Sequence, residues 1–99
     1  ADRAVVNFGK RDCAFDAGLP QPVAHYRNGK SLAFDPQAIR STGIMDQHCM
    51  LQLSANSDVQ VGDILVFGTS HPCLTFDKWK TLLLADDDYN VLAELDTLF

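Results

Sequence analysis

The chain has 99 residues, a net charge of −5 and a hydrophobic share of 46%, which allows one globular domain with a modest core. The charge argues against nucleic acid and anionic membranes as partners, and no apolar run approaches the roughly 20 residues of a transmembrane helix. Three cysteines, an odd count without regular spacing, argue against a disulfide framework and for a reducing, cytoplasmic location.

Ala1-Asp2-Arg3 has neither the basic start nor the apolar stretch of a signal peptide. Residues 3–8 already read as a strand, with Val5, Val6 and Phe8 suited to a pleated, half-buried surface and Gly9 as its end. So abrupt a start is expected of a chain cut from something longer. Residues 10–20 mix charges with Gly18 and Pro20, giving either a solvated turn or a functional loop. Residues 23–27 alternate, and Asn28-Gly29 signals a hairpin. His25 is expected on an exposed or edge face. Asp35 and Pro36 can cap and open one helical turn over residues 35–40.

Residues 43–53 show a period of two. Met45, Gln47, Cys49, Leu51 and Leu53 share one face, and Asp46 and His48 project from the other, toward water or a partner. Residues 54–58 are loop. The apolar run 64–68 reads as a strand buried on both faces. Residues 81–85 and 89–95 form two further strands around Asp86-Asp87-Asp88, which reads as a solvated hairpin tip or, alternatively, a cation site. Turn signals at intervals of roughly 8–12 residues predict a mainly β fold, a small β-barrel or sandwich with at most short helical turns, as a single domain over residues 1–99.

Between the runs at 64–68 and 81–85 lies the densest chemistry, Ser70-His71-Pro72-Cys73. In an extended segment positions i and i+2 point to the same side. His71 and Cys73 can then converge on one ion, with Pro72 limiting their splay. Zinc accepts imidazole and thiolate together. The alternative is an inert surface loop. Cys13 and Cys49 read as small buried apolar residues rather than ligands.

Met45-Asp46-Gln47, followed by a loop and Val61-Gly62-Asp63-Ile64-Leu65-Val66-Phe67-Gly68, resembles the C-terminal β-domain of fold-type III pyridoxal phosphate enzymes such as alanine racemase. His71-x-Cys73 is extra to alanine racemase and resembles the D-serine dehydratase and D-threonine aldolase branch. Asn7 to Asp12, Phe15 to Pro20, Ser70 to Cys73, Phe76 to Trp79 and Thr97-Leu98-Phe99 are similar to bacterial D-amino-acid deaminases of that branch. Lys10 stands after Gly9, where alanine racemase has its second catalytic base, a tyrosine; two-base racemisation is therefore not expected.

The resemblance implies a C-terminal domain whose N-terminal (β/α) barrel, carrying pyridoxal phosphate on a lysine, is absent from this sequence. It further implies that His71 and Cys73 hold zinc and that His48 is a proton donor, a further ligand or a positioning partner. Lys10, Arg11, Asp12, Asp16 and Asp46 would line the substrate mouth, which a neighbouring subunit's C-terminal domain closes in this fold type. The implied substrate is a D-3-hydroxy amino acid, dehydrated and deaminated to a 2-oxo acid and ammonia, in a homodimer. The alternatives are D-threonine aldolase chemistry, racemisation, or a non-catalytic β-barrel binding module.

Overall fold

The computed structural model describes residues 2–98. Among them are eight strands and one short helix: β1 (Arg3–Val6), β2 (Gln21–Arg27), β3 (Lys30–Leu32), β4 (Ile39–Ile44), β5 (Cys49–Leu53), β6 (Ile64–Gly68), α1 (Pro72–Phe76), β7 (Thr81–Ala85) and β8 (Val91–Asp96). They form three sheets, in the orders β1-β5-β4, β3-β2-β6 and β7-β8, and every pairing is antiparallel. The expected mainly β architecture holds, as a small sandwich-like fold without a closed barrel. The β2–β3 hairpin turns through Asn28 (φ 52°) and Gly29 (φ 77°). Both are left-handed, the twist a two-residue hairpin loop requires.

The core lies between the first two sheets. Cys49, Leu51 and Leu53 point inward from the central strand β5 and meet Ala38 and Ile39, with Val6, Phe8, Ile44, Leu65 and Phe67 packed around them. Phe8 and Phe67 join the sheets edge to face, with ring centroids 4.7 Å apart, an arrangement that adds about 0.5–1.5 kcal/mol beyond area burial. The parity expected for residues 49, 51 and 53 is that of the buried face.

Four local expectations change. The period-two run over residues 43–53 is two strands rather than one. Ile44 pairs with Cys49, and Met45 N–H donates to the His48 carbonyl at 2.7 Å, so residues 45–48 close a tight turn. Met45 is consequently 58% exposed. The one helical turn expected over residues 35–40 is instead a short non-helical turn at residues 36–38, closed by Ala38 N–H on the Asp35 carbonyl at 3.0 Å. Gln37 N–H bonds to the Asp35 side chain at 2.9 Å, and the chain enters β4 at Ile39, where pairing with Leu53 wins. Strand β6 is an edge strand, so its apolar run is half-buried and Ile64 is exposed rather than enclosed on both faces.

His25, expected at an exposed or edge face, is buried at 3% exposure. It sits on β2, the central strand of its sheet, and its Nε2 is 2.6 Å from Asp63. Arg27 clamps the same carboxylate through Nε at 2.8 Å and a terminal nitrogen at 2.9 Å, and Gln60 N–H adds a fourth bond at 2.9 Å. Both oxygens of the Asp63 carboxylate are thus answered, as burial demands.

The third sheet is a two-stranded ribbon whose Leu83, Leu84, Val91, Leu92 and Leu95 are exposed. Its tip is built by Asp86, whose carboxylate accepts from the backbone N–H groups of Asp88 and Asn90, both at 2.9 Å. Those bonds, led by Asn90, hold the Asp86 carboxyl below its usual range. Tyr89, at the tip, meets Tyr26 edge to face at 5.4 Å between centroids.

Candidate functional site

One end of the molecule is assembled around the loop of residues 9–18. Gly9 sets it in place. A Cβ there would lie 2.4 Å from backbone atoms of Met45, Asp46 and Gln47, so only glycine allows this approach. The next two N–H groups dock on the same turn: Lys10 donates to the Met45 carbonyl at 2.8 Å and Arg11 to that of Asp46 at 3.1 Å. Asp12 folds back so that its carboxylate accepts from Gly9 N–H at 2.9 Å. Lys10 reaches over the Phe15 ring, 5.1 Å from its centroid, a cation–π contact.

The far side of the loop is bound to the segment around α1. Ala14 N–H donates to the buried Thr75 hydroxyl at 3.0 Å, and that hydroxyl donates to the His71 carbonyl at 2.9 Å. Trp79 Nε1–H donates to the Asp12 carbonyl at 2.8 Å. Ser70 donates to the Gly18 carbonyl at 2.6 Å. His71 Nδ1 lies 2.9 and 3.1 Å from the two oxygens of Asp16, and this bond, ahead of other causes, holds the Asp16 carboxyl below its usual range. A cavity of about 240 Å³ remains beneath the junction, walled by Phe8, Cys13, Pro20, Phe67, Thr75 and Trp79 among others.

His71-Pro72-Cys73 is not the extended segment expected. His71 is the residue before α1, and Pro72 opens the helix, where a missing N–H costs nothing. Cys73 therefore lies inside the first helical turn while His71 keeps extended backbone outside it (φ −142°, ψ 89°), so the strand rule that puts i and i+2 on one side does not govern this pair. The Cys73 thiol is exposed, whereas Cys13 and Cys49 are buried. Burial pushes both buried thiols up, away from the reactive thiolate. Asp46 and His48 sit exposed on the turn that receives the loop.

The loop thus ties together three stretches far apart in sequence, carrying Lys10, Arg11, Asp12 and Asp16, then Asp46 and His48, then His71 and Cys73. Sequence reasoning missed Thr75 and Trp79, which anchor the loop. A short polar residue in an amphipathic turn carries no signal of a partner 61 residues away. Among the described residues no group of three or more His, Cys, Asp or Glu side chains is placed to hold a metal ion by itself.

The family model described as "Putative serine dehydratase domain" matches residues 1–85. A search of the curated proteins returned no match.

Proposed function

The chain belongs to this serine dehydratase domain family, and from that premise we propose that it is the C-terminal domain of a D-3-hydroxy-amino-acid dehydratase that uses pyridoxal phosphate and zinc. The observation that carries the reading is the double anchoring of residues 9–18, on the turn at 45–48 and on the segment at 70–79. It gives one end of a small β-domain a set of cationic, acidic, imidazole and thiol groups on anchored backbone. Function concentrates on loops held by a scaffold in this way.

The donors fit zinc in kind. With His71 Nδ1 committed to Asp16, Nε2 is the nitrogen left to ligate, and the exposed Cys73 thiol is the other candidate. Two protein ligands leave positions open for water, substrate or groups from elsewhere, as in catalytic zinc sites. When bound, such an ion polarises the substrate's β-hydroxyl and eases its departure. His48, exposed on its turn, is the group to hand a proton to the leaving oxygen. Lys10 and Arg11 supply positive charge for a substrate carboxylate. Asp46 borders His48 and can orient it. Asp12 has its carboxylate on Gly9 N–H and shapes the mouth through the loop.

Pyridoxal phosphate does not fit the residues present. Two cavities among the described residues, one walled by Phe8, Phe67 and Trp79 and the other by His25, Phe34 and Ile39, are lined by neither lysine nor arginine, so neither offers a Schiff-base amine or a phosphate cradle. In this reading the cofactor is seated by a barrel domain of the same polypeptide. The bare apolar ribbon β7–β8 is a surface for that domain or a second subunit, and the chain alone is inactive. All three cysteines are free, in keeping with a cytoplasmic setting, and no helix among the described residues is long and apolar enough to cross a membrane.

The test is release of ammonia and 2-oxo acid from D-serine and D-threonine by the full-length protein, with and without chelator. Release that chelator abolishes, and that Cys73→Ala also loses, is the expected result. Turnover indifferent to both would overturn the metal role. Aldehyde and glycine in place of ammonia would move the reading to retro-aldol cleavage.

A further inference from the structure

The Asp16–His71 contact joins residues 55 positions apart and sits beside a second tether, the Ser70 hydroxyl on the Gly18 carbonyl. Gly18 has φ 118°, a backbone conformation that glycine alone adopts freely. Residues 16–18 are therefore held against residues 70–71 at two points. Asp16 is 53% exposed and His71 35% exposed at the side chain, so neither is drawn together by burial. The carboxylate only accepts hydrogen bonds. The hydrogen of this bond is accordingly supplied by Nδ1, the arrangement that leaves Nε2 as the nitrogen able to ligate.

We infer that Asp16 is a positioning residue: it fixes the tautomer and orientation of His71 so that Nε2 is the ligating nitrogen, rather than lining the substrate mouth as the family resemblance implied. This rests on the zinc reading above. A ligating histidine whose other nitrogen donates to a carboxylate is held in one orientation and is a stronger donor, and losing such a partner weakens metal binding by roughly 10–100-fold.

The experiment measures zinc affinity of the metal-free full-length protein by competition with a chromophoric chelator, and the visible absorption of its cobalt(II) form. It compares wild type with His71→Ala, Cys73→Ala, Asp16→Ala and Asp16→Asn. The expected result is loss of binding in His71→Ala and Cys73→Ala and a fall of about 10–100-fold in Asp16→Ala. Asp16→Asn, whose amide oxygen still accepts from Nδ1–H, should recover part of that loss, and the cobalt bands should shift in Asp16→Ala. If both ligand variants lose metal while Asp16→Ala binds as wild type does, the inference falls and the zinc site stands. If His71→Ala and Cys73→Ala bind as tightly as wild type, the zinc reading falls and takes the inference with it. Should Asp16→Ala fail to fold, Asp16→Asn decides: weaker binding than wild type supports the positioning role, and equal binding overturns it.

Discussion

Two residues show how much one side chain can depend on a distant partner. Asp63 is only 3% exposed at its side chain, and Arg27, ahead of His25 and Gln60, holds its carboxyl well below the usual carboxylate range. A depressed folded value means that its contribution to stability is complete above the unfolded value of about 4 and drains away as pH falls through the folded one. Unfolding midpoints followed from about pH 6 to pH 2 should therefore decline on the acid side, and Asp63→Asn should flatten that decline while lowering the midpoint at neutral pH by about 5 °C or more. None of this was legible from His25 in its own segment, because its partner lies 38 residues on. Gly9 is the other case. Its neighbour along the chain says strand end, but the reason for glycine is the backbone of residues 45–47. Gly9→Ala should cost about 1–3 kcal/mol in urea unfolding as the turn is pushed away.

At the scale of elements, hairpins announced themselves and helices did not. Asn28-Gly29 carries its own conformational demand, so β2–β3 could be read directly. The alternation of Cys49, Leu51 and Leu53 survived because β5 is central and one of its faces is fully enclosed. The same alternation misled over residues 45–48, where period two continues through a turn. His71-Pro72-Cys73 misled differently: proline suits an extended segment and the first position of a helix equally, and Thr75 decides for the helix by bonding the loop and the His71 carbonyl together. Thr75→Val keeps the shape and removes the acceptor. It leaves Ala14 N–H buried without a partner, at a cost of about 1–3 kcal/mol. Amide exchange should quicken across residues 10–16 while the β4–β5 pairing stays protected.

For the whole molecule, stability and exposure are divided unevenly. Leu51, 1% exposed at the centre of the core, should lose about 2–5 kcal/mol on change to alanine, measured by denaturant unfolding. The β7–β8 ribbon has a ladder but no third strand among the described residues, and a hairpin alone is marginal in water. Its amides should exchange at least about 10-fold faster than those of β5 in the isolated chain. Fold class was readable because strand and turn signals are local. The residues of the candidate site could be named for the chemistry of their side chains. The junction that gathers them could not, since its bonds join stretches far apart in sequence: two run backbone to backbone, from Lys10 and Arg11 to the turn at 45–48, and the side-chain bonds of Thr75, Ser70, His71 and Trp79 find partners 52 to 67 positions away.

Trp79 is the sole tryptophan of the chain, and its indole N–H reaches back 67 residues to the Asp12 carbonyl. Closing so long a loop is entropically late work in folding. The core sheets can form while the loop of residues 9–18 is still free, and the indole senses the moment it arrives. Intrinsic fluorescence is thus a built-in clock for completion of this end of the molecule, separable in stopped-flow refolding from the circular dichroism of the sheets.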